Sequence, residues 1–567
     1  MLSLFVATFL KFFFLLTPFF ALATGEAKGP RDLWVFGEMP YLDDPAQLPI
    51  MTNVVRRAAA VGYTGLAFIS GRDNFGNWSE VCCRNEGTES FVRSRVGLDA
   101  LWRMDPRRLA RFKALKRACD DCGLDFVPLV WSVGYGSPNL DEPNRVACWL
   151  SPDVPYVVRN GRTVFEGRRV EVPPFGELCG ATNRWGVWTA TTRFAVRPAR
   201  RYRVSLEART ENLLGATRTN RGLGFYVCEH YATAQEKMFA NRCPPFEPTQ
   251  DWTPITFDFH SETATGLTLR ATAPYCPGGR YEIRNLTVEE APVEYVVRRE
   301  GTPFAVRNRD TGEVYVEGRD YAPVAGLDRV SFSPPPKPFE LALLPGGRIR
   351  EGARLAVSAY EPRCTYGVQF STCLSNPDFH AYLTRSAAAL ARAFDVRKWF
   401  LSLDEVRVGC QCELCVASGK TMGQQLAETI VRMRAAIRAV RPDAEIFMWS
   451  DMVDPNHNAR AGYYHCRTTF VGALAGVPSD IVMVPWWGKR AAESAATLAA
   501  HGHELVGGAF YDAKTREALE DNVVTWTTVL RANPKGRGIM YTTWQNGRDC
   551  GNYVFLEDFA RLVRKHW

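Results

Sequence analysis

The sequence predicts an α/β fold: a (β/α)8 TIM barrel interrupted after its third strand by an antiparallel β-sandwich. Three observations carry this expectation. Apolar strand-like runs alternate with amphipathic helical stretches over residues 31–150 and again over 364–567, as in a parallel sheet with crossover helices. Three such runs fall in the first part and five in the second, and eight is the number that closes such a barrel. Between the two parts, from about Ser151, helical periodicity stops and short alternating segments separated by Gly, Pro and Arg take over.

Residues 1–23 read as a signal peptide, an apolar run ending in the small-x-small pattern Ala21-Leu22-Ala23. Lys11 and Pro18 inside the run count against an uncleaved anchor. The expected location is secreted or periplasmic, or held at a membrane surface, and no later run is long and apolar enough to cross a bilayer.

The first barrel strand is Leu33 to Glu38, followed by a helix over Asn53 to Val61 and a second strand, Thr64 to Ile69. Asp105 is an N-cap and Pro106 the first helical residue of a helix to Cys122, and Asp125 to Trp131 is the third strand. The sandwich is expected over residues 175–292, with alternating segments such as Tyr202 to Leu206, Gly222 to Val227 and Leu267 to Ala271. Its strand order resembles jelly-roll carbohydrate-binding modules; a sandwich that merely braces the barrel fits as well. Residues 293–363 form a β-rich connecting segment with a rigid Ser333-Pro334-Pro335-Pro336 linker. The barrel resumes at Asn376-Pro377-Asp378, a cap, first-turn proline and acid that open a helix to Phe394. The fourth strand is Trp399 to Leu403. Leu426, Ile430, Met433, Ile437 and Val440 then step along one helix face that stops at Pro442. Strands follow at Glu445 to Trp449, Ile481 to Trp487, Leu505 to Phe510 and Ile539 to Thr543, with a last helix over Phe555 to Val563.

Composition narrows the function classes. With 46% apolar and 12% aromatic residues over 567 positions, the chain can build a large core. Its 69 basic residues are interspersed with 61 acidic ones, without a long basic run, which argues against nucleic acid as a partner. Sixteen cysteines suit an exported chain. Cys410, Cys412 and Cys415 form C-x-C-x-x-C, and Cys119 and Cys122 form C-x-x-C. Three thiolates so close could hold zinc with a fourth ligand from elsewhere, but no second cluster lies nearby, so a disulfide or loop staple is favoured. No metal and no cofactor are assigned.

In such a barrel the active site lies at the C-terminal ends of the strands. Those ends carry Glu38; Trp131; Asp404 and Glu405; Trp449 and Asp451; Trp486 and Trp487; Tyr511 and Asp512; and Trp544, Gln545 and Asn546. Adjacent acids leaving an apolar strand are costly to ionise together, which suits a pair in which one carboxyl delivers a proton and its neighbour stays charged. The competing reading pairs Glu405 with Arg407 and makes Asp404 a cap. Several tryptophans beside polar groups suit a pyranose, with apolar C–H faces and directional hydroxyls, so the expected partner is a glycan or glycoconjugate substrate.

Asp404-Glu405 after strand four, Trp449 after strand five, Trp487 after strand six, Tyr511 after strand seven and Trp544 after strand eight resemble the catalytic barrel of glycoside hydrolase family 20, the β-N-acetylhexosaminidases. The resemblance implies a retaining glycosidase that removes terminal β-linked N-acetylhexosamine with help from the substrate's own acetamido group. By that likeness Glu405 is the general acid/base, Asp404 orients the acetamido group and stabilises the oxazolinium, and Tyr511 bonds the acetamido oxygen. Trp449, Trp487 and Trp544 wall the sugar, with Glu38, Asp451, Asp512, Asn546 and His457 as further substrate contacts. Adjacent carboxylates make chemical sense here, because an internal nucleophile removes the need for a second acid across the bond.

The chain departs from the family pattern in three places. Trp131-Ser132-Val133-Gly134-Tyr135 stands where an acid and a Pro-Gly-His turn are usual. Asp512 directly follows Tyr511 instead of standing one residue further on, and Asn546 replaces a glutamate. These departures leave two other readings: a carbohydrate-binding barrel without turnover, and a hydrolase of ordinary glycans in which Glu38 or Asp451 is the nucleophile.

Overall fold

The structure is a computed structural model that describes residues 29–38, 42, 44–71, 97–135, 145–175, 188–213, 223–229, 238–242, 247–273, 278–294, 296–326, 339–365, 369–510, 513, 515–543 and 553–567. The signal-peptide reading over 1–23 and the proline linker at 333–336 lie outside the described residues. No helix among the described residues is long and apolar enough to cross a membrane.

Eight parallel strands close into a barrel. They are β1 (Asp32–Glu38), β2 (Gly65–Ile69), β3 (Asp125–Val130), β4 (Lys398–Leu401), β5 (Glu445–Trp449), β6 (Ile481–Val484), β7 (Leu505–Ala509) and β8 (Gly536–Tyr541). β8 returns to β1 in parallel register, Leu33 opposite Ile539, which closes the ring. The main outer helices are α1 (Gln47–Ala60), α2 (Pro106–Asp121), α3 (Pro377–Ala393), α4 (Met422–Val440), α5 (Ala491–Ala500), α6 (Arg516–Arg531) and α7 (Leu556–His566).

Local chemistry explains the boundaries. Asp105 accepts hydrogen bonds from the Arg107 and Arg108 amides, and Asn376 from the Asp378 amide, each with proline at the first helical position. Thr421 and Gln424 form a reciprocal capping box on α4, whose Leu426, Ile430, Met433 and Ile437 are all buried. β3 stops before Trp131 and β7 before Phe510, one residue earlier than expected. Both residues have left-handed backbones, with φ of 56° and 74°, which cannot continue a strand.

The barrel interior is packed by Trp34, Phe36, Phe400, Phe447 and Trp449 with aliphatic side chains between them. Its N-terminal end is shut by an ionic ring: Asp32 meets Lys398 at 2.7 Å and Arg537 at 2.6 Å. Arg537 also reaches Glu445 at 2.6 Å and Glu504 at 2.7 Å. With charges shared at this closed pole, the opposite, C-terminal pole is the one available to chemistry.

The chain between β3 and β4 forms two further bodies. Strands Trp188–Ala195, Gly224–Cys228, Met238–Arg242 and Gly266–Ala273 make one four-stranded sheet, and Arg169–Val170, Arg201–Glu211, Gln250–His260 and Arg280–Glu290 make another. Residues from both share one apolar core that includes Phe194, Phe225, Leu206 and Phe259. A five-stranded sheet is built from both flanks of this sandwich, Cys148–Arg159 pairing antiparallel with Arg354–Pro362.

Candidate active site at the exit of strand four

Beyond Leu401 the chain leaves the sheet through Ser402 and Leu403 and reaches Asp404 and Glu405. Asp404 is buried, 6% exposed, and accepts a bond from Ser402 Oγ at 3.3 Å. Glu405 has a left-handed backbone, φ 50°, an uncommon state for a side chain of this size and one that clusters at functional sites. Its amide donates to Asp451 Oδ2 at 3.0 Å, which ties the exit of β4 to the exit of β5.

Two side chains grip the Glu405 carboxylate. Arg407 Nη2 lies 2.6 Å from Oε2, and the Tyr135 hydroxyl donates to the same oxygen. The Arg407 guanidinium in turn lies over the Tyr464 ring at 4.9 Å and the Tyr135 ring at 5.8 Å. The Glu405 side chain keeps 20% of its surface exposed, so it is reachable. Burial raises its pKa, Arg407 opposes the rise and the Asp451 charge adds to it; the balance lies above the usual glutamate value. Asp451 is fully buried, and burial pushes it up to about 6 against hydrogen bonds from the Glu405 amide, Asn458 and Trp486. Asn458 Nδ2 reaches its Oδ2 at 2.8 Å, while Oδ1 has no partner among the described residues. The result is two neighbouring carboxyls, each held above its ordinary carboxylate value and so biased towards the protonated form.

The loop after β3 presses on the acid pair from the other side. Val133 N donates to Ser402 O at 3.2 Å, and a Cβ added to Gly134 would lie 2.0 Å from the Asp404 carbonyl oxygen. The Trp131-to-Tyr135 stretch therefore both shapes the acid turn and supplies the tyrosine that holds it.

An aromatic group adjoins Asp451. His457 packs edge-on to Trp486 at 4.2 Å and beside Trp487 at 5.0 Å. Burial lowers the His457 pKa to about 4, keeping the ring neutral. Trp487 is 38% exposed. Trp449, 1% exposed, belongs to the packed interior between Phe400 at 4.8 Å and Phe36 at 5.8 Å. Gly508 leaves room above it, since an added Cβ would stand 3.0 Å from Trp486 Cβ and 3.3 Å from the Trp449 ring.

The structure thus joins Asp404, Glu405, Asp451, His457 and Trp487 in one connected group and sets Trp449 in the packed interior next to Trp486. Trp131 turns the other way: its indole N–H donates to Ser386 Oγ of α3 at 2.8 Å, in the helical layer. Tyr511, Asp512, Trp544 and Asn546 lie outside the described residues, as does the side chain of Glu38 at the end of β1. The strand-end comparison itself passed over Tyr135 and Asn458, which lie in the loops beyond strands three and five, although the polar loop ending at Asn458 reads from sequence as a source of contacts at the mouth; it also passed over Arg407 as a member of the site, whose spacing two residues after Glu405 signalled only the ion pair.

The nine cysteines whose side chains are described form no disulfide. The staple favoured for Cys410, Cys412 and Cys415 is therefore corrected. Cys410 receives a bond from Gln425 Nε2 at 3.3 Å, and the sulfurs that gather are those of Cys373, Cys412 and Cys415.

No protein-family model matches the chain, and no curated protein matches it. Solved structures similar to it include a β-N-acetylhexosaminidase from Bacteroides fragilis, 8% identical with a TM-score of 0.41, covering 95% of this chain and 66% of that one. Another β-N-acetylhexosaminidase is 10% identical with a TM-score of 0.38, covering 95% and 71%. The tandem family 20 catalytic modules of a pneumococcal exo-β-D-N-acetylglucosaminidase are 7% identical with a TM-score of 0.35, covering 95% and 84%.

Proposed function

We propose that the protein is an exported retaining glycoside hydrolase that removes terminal β-linked N-acetylhexosamine. The observation that carries this reading is the Asp404-Glu405 turn at the barrel mouth, where a reachable glutamate of raised pKa is tied through its own amide to a second buried carboxyl. In this reading the substrate's acetamido oxygen attacks the anomeric carbon while Glu405 protonates the departing glycosidic oxygen. Asp404 holds the acetamido N–H and stabilises the oxazolinium charge. Glu405, now ionised, then takes a proton from water as that water opens the ring with overall retention. Trp487 and His457 offer a wall for the sugar. Tyr511, Trp544, Asp512, Asn546 and Glu38 keep the substrate contacts that their positions after the strands suggest. Export rests on the N-terminal apolar run.

The second reading, a carbohydrate-binding barrel without turnover, is favoured by one observation: the Glu405 oxygen Oε2 is already engaged by Arg407 and Tyr135. Release of phenol from an aryl β-N-acetylhexosaminide by wild type and by Glu405→Gln separates the two. Turnover lost in the variant supports the hydrolase; equal turnover removes Glu405 from the mechanism; glycan binding with no turnover in either protein supports the second reading. A substrate lacking the acetamido group tests the role of Asp404, because only a conventional nucleophile would cleave it.

A further inference from the structure

Behind the acid turn, three buried sulfurs form a nearly equilateral triangle. Cys373 Sγ lies 3.6 Å from Cys412 Sγ and 3.6 Å from Cys415 Sγ, and Cys412 lies 3.5 Å from Cys415. These separations are far too long for a disulfide, which holds its sulfurs about 2.05 Å apart. They approach the edge of a tetrahedron of sulfurs around one zinc, about 3.8 Å for Zn–S bonds of about 2.3 Å. Three sulfurs all this close to one another do not fit an iron–sulfur cluster, in which no single iron takes more than two of the thiolates.

The three come from separate places in the chain. Cys412 and Cys415 bracket the first turn of a short helix, Glu413–Ala417, just past the acid turn, while Cys373 precedes the cap of α3. A half-buried cation completes the nest: Arg299 Nη2 lies 3.4 Å from Cys148 Sγ, and the same guanidinium bonds Cys412. A guanidinium that donates to this group favours thiolates over neutral thiols, and zinc with three thiolates carries one net negative charge that the guanidinium would balance.

We infer that Cys373, Cys412 and Cys415 bind a structural zinc ion, which fastens the loop following Glu405 to the start of α3 and to the segment that returns from the sandwich. The backbone supports that role, since Glu413 N donates to Gly301 O at 3.0 Å and Asn376 N to Cys373 O at 3.2 Å. The ion lies outside the acid site and stands whether or not the chain is a hydrolase.

The test is the metal content of the full-length protein purified without chelator. About one zinc per chain is expected, absent in Cys373→Ser and Cys412→Ser and retained in Cys119→Ser, whose buried thiol lies on α2. Zinc-edge absorption of the wild type should show a first shell dominated by sulfur at about 2.3 Å. Should the serine variants fail to fold, organomercurial titration of the wild type decides instead, zinc being released as three thiols react. Protein without zinc, with Cys412 and Cys415 recovered as a disulfide-linked peptide, overturns the inference. Zinc retained in full by both serine variants does the same.

Discussion

The loop after β3 makes a sharp prediction through Gly134. Its backbone is one that alanine can adopt, so Gly134→Ala acts through space alone. The added methyl would start 2.0 Å from the Asp404 carbonyl oxygen and 3.0 Å from the Glu405 carbonyl carbon. Even partial relief needs a displacement of at least about 1 Å, and the nearest atoms are backbone of the acid turn, which cannot swing aside as a side-chain tip can. Overpacking of this kind costs about 1–3 kcal/mol, read as a fall of a few degrees in melting temperature. A displacement of about 1 Å in a catalytic acid costs on the order of 100-fold in turnover. Gly278→Ala is the control, because nothing among the described residues lies within 4 Å of the position its Cβ would take. The paired readouts are thermal melting and kcat on an aryl β-N-acetylhexosaminide. A Gly134→Ala protein that melts and turns over like the control would refute the placement of this loop against the acid pair. Loss of stability with full turnover would leave the packing intact and displace Asp404 and Glu405 from the chemistry.

Further outcomes follow from the same network. Arg407 holds the Glu405 pKa down, so Arg407→Met should move the alkaline limb of the kcat/KM profile to higher pH; a limb that stays in place or moves to lower pH contradicts Glu405 as the titrating acid. Asp451 and His457 should give opposing stability slopes. Asp451, raised from 3.8 to about 6, favours the folded state at low pH and loses that contribution as pH rises towards 6, on the order of 3 kcal/mol. His457, lowered from 6.5 to about 4, disfavours the folded state as pH falls through that interval, by a similar amount. Denaturant unfolding between pH 4 and 6.5 should therefore show stability rising with pH in Asp451→Asn and falling with pH in His457→Gln; parallel slopes in the two variants would contradict the assignment. Glu262→Gln removes the carboxylate shared by buried Arg363 and His465, at 2.6 Å and 2.7 Å, and should cost about 3–5 kcal/mol by the same unfolding measurement.

How much could be read from sequence alone depended on how local each signal was. The helix starts at Asp105 and Asn376 and the buried face of α4 were legible because caps and periodicity lie within a few residues. The acid pair was legible because two carboxylates after an apolar strand conflict with burial. The direction of a strand-end tryptophan was not. Trp131 turns outward to α3 and Trp449 inward to the packed interior, a difference set by the left-handed backbone at Trp131, which no composition rule reveals. The ionic ring at the closed pole draws Asp32, Lys398, Glu445, Glu504 and Arg537 from distant strands, and closure alone brings them together. For the same reason C-x-C-x-x-C pointed to Cys410, whereas the fold supplies Cys373 from another element.

The placement of the sandwich bears on which of its two roles the chemistry needs. After Arg407 the chain pairs Val408 and Gly409 in parallel with His465 and Cys466. His465 is fixed from the sandwich side, its Nδ1 2.7 Å from Glu262 Oε2 and its Nε2 2.9 Å from Met238 O, while Arg363 Nε meets Glu262 Oε1 at 2.6 Å. All three charged or titratable side chains are buried, so this junction is held by groups that would be expensive to expose. One residue before the paired Val408 stands the arginine that grips Glu405. A rigid Glu262 therefore constrains Arg407 through two short steps of backbone. A sandwich tethered only to bind glycan at a distance would have no use for such a connection. A sandwich that braces the acid loop requires it, and these contacts favour the bracing role.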